Sequence, residues 1–198
     1  MKKYLFLITI ITLSIVPSLF SGCQQASNSI SNFNQNELLI KGDSITTSAQ
    51  QVLLRRVAEK IQLSGTTGAV EYCNEQAIPL TDSVAQHFGY ILSRLSIKNR
   101  NPKNAIHLSE DKNAWTEIEK RMQDENDITK HFIIQNNNDL YYYKAITIAM
   151  PTCLKCHGDK ENDIASETLQ KIQVQYPDDK ATGYKMGDLR GMWKVKLN

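Results

Sequence analysis

The stretch His131-Phe132-Ile133-Ile134-Gln135-Asn136-Asn137-Asn138-Asp139-Leu140-Tyr141-Tyr142-Tyr143-Lys144-Ala145-Ile146-Thr147-Ile148-Ala149-Met150-Pro151-Thr152-Cys153-Leu154-Lys155-Cys156-His157-Gly158 carries both a fold signal and a chemical one. Two runs rich in β-branched and aromatic residues, 131–135 and 140–150, flank a cluster of Asn and Asp at 136–139. That pattern is a β-hairpin signature, because Asn and Asp tolerate the left-handed backbone that tight turns require. The second strand leads directly into Cys153-x-x-Cys156-His157, so the sheet positions whatever chemistry those residues perform.

Cys-x-x-Cys-His is the attachment signal for a c-type haem. Two cysteines at this spacing reach the two vinyl groups of one porphyrin, and the adjacent histidine lies beneath the iron as an axial ligand. Cys153 and Cys156 are thus the expected covalent anchors of one haem c, and His157 the expected metal ligand. Two rival readings are weaker. A structural zinc needs four ligands, and the chain has no second Cys-x-x-Cys and no His-x-x-x-His to complete the set. A thioredoxin-like dithiol belongs after a strand near the start of a βαβ pattern, whereas this motif lies late in the chain.

Upstream of the hairpin, Ile45, Ala49, Leu53, Val57 and Ile61 recur every four residues and predict a helix from Asp43, ended by Ser64-Gly65. A short helical piece follows Thr67-Gly68 and stops before Pro79, and a second is expected over Asp82 to His87, closed by Gly89. Tyr90 to Lys98 has strand periodicity, with Ile91, Ser93, Leu95 and Ile97 on one face and Tyr90, Leu92, Arg94, Ser96 and Lys98 on the other. Residues 99–104 are turn formers. Ser109 is placed to cap a helix that has Glu110 and Asp111 in its first turn, Trp115, Ile118 and Met122 facing inward, and Lys120 and Arg121 near its end. After the motif, Ala165, Leu169, Ile172 and Tyr176 mark a helical stripe ended by Pro177. Gly191 to Leu197 then alternates as a closing strand. Helices early and antiparallel strands late predict an α+β fold.

The N-terminus reads as an export signal. Met1-Lys2-Lys3 is a short positive region, and Tyr4 to Val16 is mostly apolar and too short to span a bilayer. Leu19-Phe20-Ser21-Gly22-Cys23 resembles a bacterial lipobox, which makes Cys23 a lipidation site. The expected organisation is a lipoprotein signal peptide over 1–22, a lipidated flexible tether over 23–36, and one domain over 37–198. This places the domain outside the cytoplasm, in the periplasm or its equivalent, where c-type haem is attached. The chain has 198 residues with 23 basic and 21 acidic side chains, a balance that offers no footprint for nucleic acid.

Of the four cysteines, lipid takes one and haem two, leaving Cys73. A lone thiol in an exported protein is either buried packing or a ligand. His87, His107, His131, Met122, Met150, Met186 and Met192 compete with it for the second axial position, and spacing does not choose among them.

Four blocks carry a resemblance. Gly68-Ala69-Val70-Glu71-Tyr72-Cys73, then 93–104, then Cys153 to Gly158, then Tyr176 to Gly191 resemble, in order, the family of single-haem, PAS-like c-type haem domains long catalogued as a domain of unknown function. The resemblance implies an antiparallel PAS-like sheet flanked by helices around the cofactor, with the iron held by His157 on one side and by the Cys73 thiolate on the other. Arg94 and Arg100 are candidates for pairing with the haem propionates, because guanidinium binds carboxylate in a bidentate fork.

A histidine and a thiolate would fill both axial positions and favour ferric iron. The expected function is therefore low-potential electron transfer or redox reporting at a membrane face. The alternative is a gas or redox sensor in which Cys73 leaves the iron and an unidentified redox or signalling protein receives the change. A peroxidase-like or nitrite-reducing enzyme would need an open site and a placed acid-base group, and no such constellation is visible.

Overall fold

The computed structural model describes residues 32–127 and 129–198, with side chains from residue 35. The expected signal peptide, the Cys23 lipidation site and most of the expected tether lie outside these residues.

Four antiparallel strands, β1 (Ile91–Leu95), β2 (His131–Asn136), β3 (Asp139–Thr147) and β4 (Leu189–Lys196), form a sheet in the order β1-β4-β3-β2. Helix α1 (Asn32–His87) covers one face and α2 (Ser109–Gln123) the other, while α3 (Pro151–His157) and α4 (Ser166–Gln175) fill the long β3–β4 connection. This is the α+β, PAS-like arrangement that the sequence predicts.

Register explains why both faces are apolar. Leu92 pairs with Val195, Val195 with Tyr142, and Tyr142 with Ile133, making one row across the sheet. That row packs with Trp193 and Leu197 against Ile45, Ala49 and Ala85 of α1. One residue out of phase, Leu95, Met192 and Ala145 form a second row that packs against Ala114, Trp115 and Ile118 of α2. The alternation of β1 is therefore real, but of Ile91, Ser93, Leu95 and Ile97 only Leu95 is buried. Ile91 and Ile97 are 69% and 53% exposed at the free edge of the sheet.

Helix α1 is two arms. Ser64 and Gly65 leave helical geometry, and Gly65 takes φ 66° and ψ −174°, a region that essentially only glycine occupies. The chain reverses there: Ile45 and Ala85 share one core cluster, although a straight helix would separate them by about 60 Å. The Ser64-Gly65 stop is thus where the sequence puts it, but three other helical expectations need correction. The first arm starts at Asn32, not Asp43, and takes in the end of the expected tether, because Leu38 and Leu39 also pack on the α1 face of the sheet. The second arm does not stop before Pro79 and contains no separate Asp82–His87 helix. It runs unbroken through an exposed Pro79 to His87, since buried Ala77 and Ala85 and the back-bonded Thr81 hold both sides of the proline. At α2, Leu108 is the cap residue and Ser109 the first helical residue, with no side-chain cap.

The hairpin turn is tighter than expected. Only Asn137 and Asn138 lie between the strands, with Asn137 at φ 54°. β3 ends at Thr147 with a register shift between Ile146 and Thr147, just before α3. Among the described residues, no helix is long and apolar enough to cross a membrane.

Candidate functional site

Pro151 at the first turn of α3 starts the helix, since it needs no N–H donor there, and the Gly158 N–H bonds the Leu154 carbonyl at 2.8 Å to end it. Within this single helix Cys153 and Cys156 are three residues apart and share a face. They anchor in different surroundings. Cys156 packs with Val70 of the second α1 arm and with Ile172 and Tyr176 at α4, whereas Cys153 packs with Ile148, Ala181 and Tyr184.

His157 is fixed by one hydrogen bond. Its Nδ1 lies 2.8 Å from the Ala181 carbonyl oxygen, which can only accept, so Nδ1 carries the proton. The Arg190 Nε, 3.3 Å from the same nitrogen, is then a neighbouring cation and not a donor to it. Burial, first, and the Arg190 and Arg100 guanidiniums, next, hold the imidazole well below its ordinary pKa. His157 is thus a neutral imidazole whose Nε2 has no hydrogen-bond partner among the described residues, a state in which a histidine can ligate a metal.

Cys73, on the second α1 arm, lies within electrostatic reach of Cys156, Arg94 and Arg100. Burial pushes its thiol pKa up, and the two guanidiniums partly oppose this. Cys73, Cys156 and His157 all keep partial solvent access. The Cys156 thiol is pushed up to about 11, mainly by burial, which is the opposite of a thioredoxin-like dithiol's needs. Among the described residues, no group of three or more His, Cys, Asp or Glu is arranged to hold a metal ion by itself. Porphyrin nitrogens would complete what His157 and one thiol begin.

The two arginines differ. Arg94 shares the α1 face of β1 with Leu92 and Ser96, lies 5.8 Å from the Trp193 ring, and has no hydrogen bond or ion pair to any described residue. It borders a cleft of about 340 Å³ between the end of α1 and β1, with Thr81, Asp82, Leu92 and Lys103 in its wall. Arg100 is occupied: its Nε and Nη2 lie 3.0 and 3.2 Å from the Asp179 carboxylate, and Nη2 also donates to the carbonyls of Cys156 at 2.7 Å and Ala181 at 3.2 Å. A larger groove of about 550 Å³ between the second α1 arm and α4 holds none of the haem-site residues expected from sequence.

Sequence reasoning missed Arg190, Lys98, Asp179 and Ala181. Arg190 is pulled down to about 10 by burial, lies 5.5 Å from the Tyr184 ring and approaches the Lys98 carbonyl. Lys98 donates to the Thr182 carbonyl at 2.8 Å and sits 4.2 Å from the same ring. The signal lay in the 176–191 block, whose polar residues look like loop composition until the fold brings them under His157. The competing ligands are placed elsewhere. His131 Nδ1 is 2.8 Å from the Tyr142 hydroxyl, Met192 is fully buried in the α2 cluster, Met122 packs at its edge, and Met150 and Met186 are exposed. His87 ends α1 with its ring edge against Phe88, and His107 is exposed.

A crystal structure described as that of the cyanobacterial heme-protein Tll0287 shares the fold, with a TM-score of 0.59 and 22% identity over 81% of this chain and 94% of that one. No curated protein matches. The family model described as Tll0287-like matches residues 25–198. Its match runs from just after the N-terminal segment, through all four strands and α3, to the last residue, and by it the chain belongs to the Tll0287-like family.

Proposed function

We propose that this chain is a haem protein carrying one haem c, bonded through thioethers to Cys153 and Cys156, with His157 and Cys73 as axial ligands. The observation that carries the reading is the His157 imidazole, neutral, with Nδ1–H committed to Ala181 and Nε2 bare, on the same short helix as the two cysteines. Haem supplies a one-electron ferric/ferrous couple. Everything else falls to the chain. His157 donates a lone pair, and Cys73, once deprotonated, donates an anionic sulfur that favours the ferric state and a low potential. Arg94 offers a guanidinium for a propionate.

The physiological reading is low-potential electron transfer or redox reporting on the outer side of a membrane, with Cys23 as a lipid anchor and an unidentified redox or signalling protein as partner. The chain is not read as an enzyme. A second reading is a gas or redox sensor in which the Cys73 side opens.

The test is spectroscopic. The purified protein should gain the mass of one haem that survives denaturation, and its ferric form should be six-coordinate and low-spin with thiolate character. Cys73→Ala should abolish that character, and an unchanged spectrum would remove Cys73 from the iron. Rapid carbon monoxide binding to the reduced protein would favour the sensor.

A further inference from the structure

We propose that Arg100 and Asp179 are positioning residues that set the donor strength of His157 through the carbonyl of Ala181. This rests on the reading of His157 as an axial ligand. The Ala181 oxygen accepts from His157 Nδ1 at 2.8 Å and takes a share of an Arg100 Nη2 hydrogen at 3.2 Å, since the two Nη2 hydrogens serve three acceptors. Asp179 completes a closed unit. Its carboxylate holds the Arg100 fork at 3.0 and 3.2 Å, and its Oδ1 accepts from the Ala181 N–H at 2.9 Å. The same guanidinium reaches the Cys156 carbonyl at 2.7 Å, next to the histidine in sequence. Arg100 and Asp179 side chains are each only 10% exposed. One buried ion pair therefore grips the residue that orients the imidazole and the residue that precedes it.

The chemistry follows from sharing an acceptor. A histidine ligand whose Nδ1–H meets a strong acceptor gains imidazolate character and donates more charge to its metal. A cationic donor on the same oxygen draws off electron density and weakens that acceptor, and the low dielectric of the site enlarges the effect. Arg100 thus keeps His157 a plain neutral imidazole and holds the reduction potential above the value that an unshared carbonyl would give. Asp179 keeps the guanidinium in place and cancels its charge, so that control passes through the Ala181 oxygen and not through net charge. Arg100 is therefore a determinant of ligand strength, its guanidinium committed to Asp179.

The experiment uses the haem-loaded protein. In wild type, the His157 Nδ1 proton is found by NMR and the reduction potential is measured, while loss of the ferric spectrum in His157→Ala establishes the ligand. Failure at that step refutes the reading of His157 as a ligand, on which this proposal rests. The decisive variant combines Arg100→Met with Asp179→Asn. It removes the donor to Ala181, leaves local charge balanced, and keeps an acceptor for the Ala181 N–H. Replacing a buried ion pair by neutral side chains of similar volume is often tolerated. The expected result is a lower potential with the Nδ1 proton resonance moved downfield. An unchanged potential, a rise, or a potential that moves while the proton resonance does not would each overturn the proposal. Should the double variant lose haem, Arg100→Lys, which keeps the charge but not the fork, must shift both readouts in the same direction by a smaller amount, and wild-type values there would overturn the proposal equally.

Discussion

Gly42→Ala tests how closely α1 lies on the sheet. A Cβ at position 42 would stand 2.3 Å from Cγ and 2.4 Å from Cδ2 of Tyr142, more than an ångström inside ordinary contact. The ring has nowhere to go. Tyr142 is fully buried, its hydroxyl is held by His131 Nδ1 at 2.8 Å and by Asp43 Oδ1 at 3.3 Å, and Val195 flanks it in register. The first arm of α1 must therefore lift, loosening Ile45 and Ala49, which are fully buried beside it. Overpacking of this kind costs about 1–3 kcal/mol, and the severity of the clash puts Gly42 at the top of that range. Alanine returns about 1 kcal/mol of helix propensity. The net loss of about 2 kcal/mol lowers the melting temperature by about 4–8 °C for a domain of this size. Thermal unfolding by circular dichroism reads this directly. Adding Tyr142→Leu should recover part of the Gly42→Ala loss, because the smaller side chain vacates the ring's space. A Gly42→Ala protein as stable as wild type would refute the close approach.

Two further perturbations probe the other face and the acid limit. Asp111→Ala strands Lys194, whose Nζ lies 2.6 Å from that carboxylate in a site where the two side chains are 5% and 13% exposed, and it removes the acceptor of the Tyr143 hydroxyl. Breaking such a pair costs about 3–5 kcal/mol in urea unfolding, and a loss under 1 kcal/mol would show the pair to be incidental. Asp127 is held at about 2 against an ordinary 3.8: burial opposes the shift, but the Lys130 N–H, the Thr129 hydroxyl and Arg121 overcome it. With the folded pKa depressed, its contribution is present above the ordinary pKa and is lost as pH falls from 3.8 toward 2. The stability gap between wild type and Asp127→Asn should close over that interval, and a gap that widens there would contradict the assignment.

Much of this was legible because local chemistry and long-range packing agree. The Asn turn, the alternation of Trp193, Val195 and Leu197, and the Ser64-Gly65 break each follow from backbone preferences that the tertiary structure keeps. Pro79 misleads because a helix-breaking signal was outweighed by the burial of Ala77 and Ala85, which no local window contains. The start of α1 misleads in the same way, since Leu38 and Leu39 count for little until a sheet lies beneath them. At the site, the motif residues are visible because they are contiguous. Arg190 and Asp179 are not, because their meaning depends on which carbonyl or ring lies opposite, and that is set by the path of the β3–β4 connection.

The charges around the site argue for what it holds. Arg100 has Asp179, whereas among the described residues Arg94, Arg190 and Lys98 make no close ion pair, although Asp82 and Asp179 act on Arg94 and Arg190 from a distance. Burial pulls the pKa values of Arg94 and Arg190 down, and holding a guanidinium out of water without a close anion is costly. The neutral, pKa-raised Cys73 thiol does not help while it keeps its proton. On the proposed haem reading, a propionate would give Arg94 the close anion it lacks. Arg94→Gln should then act differently in the two forms. Without haem, the variant removes an uncompensated buried charge and should melt no lower than wild type. With haem, it removes a charge-assisted contact worth about 1.5–3 kcal/mol and also one of the two cations that hold the Cys73 pKa down, so the loaded variant should melt lower and release its thiolate at higher pH. Equal shifts in the loaded and unloaded proteins would mean that Arg94 serves the fold and not the cofactor.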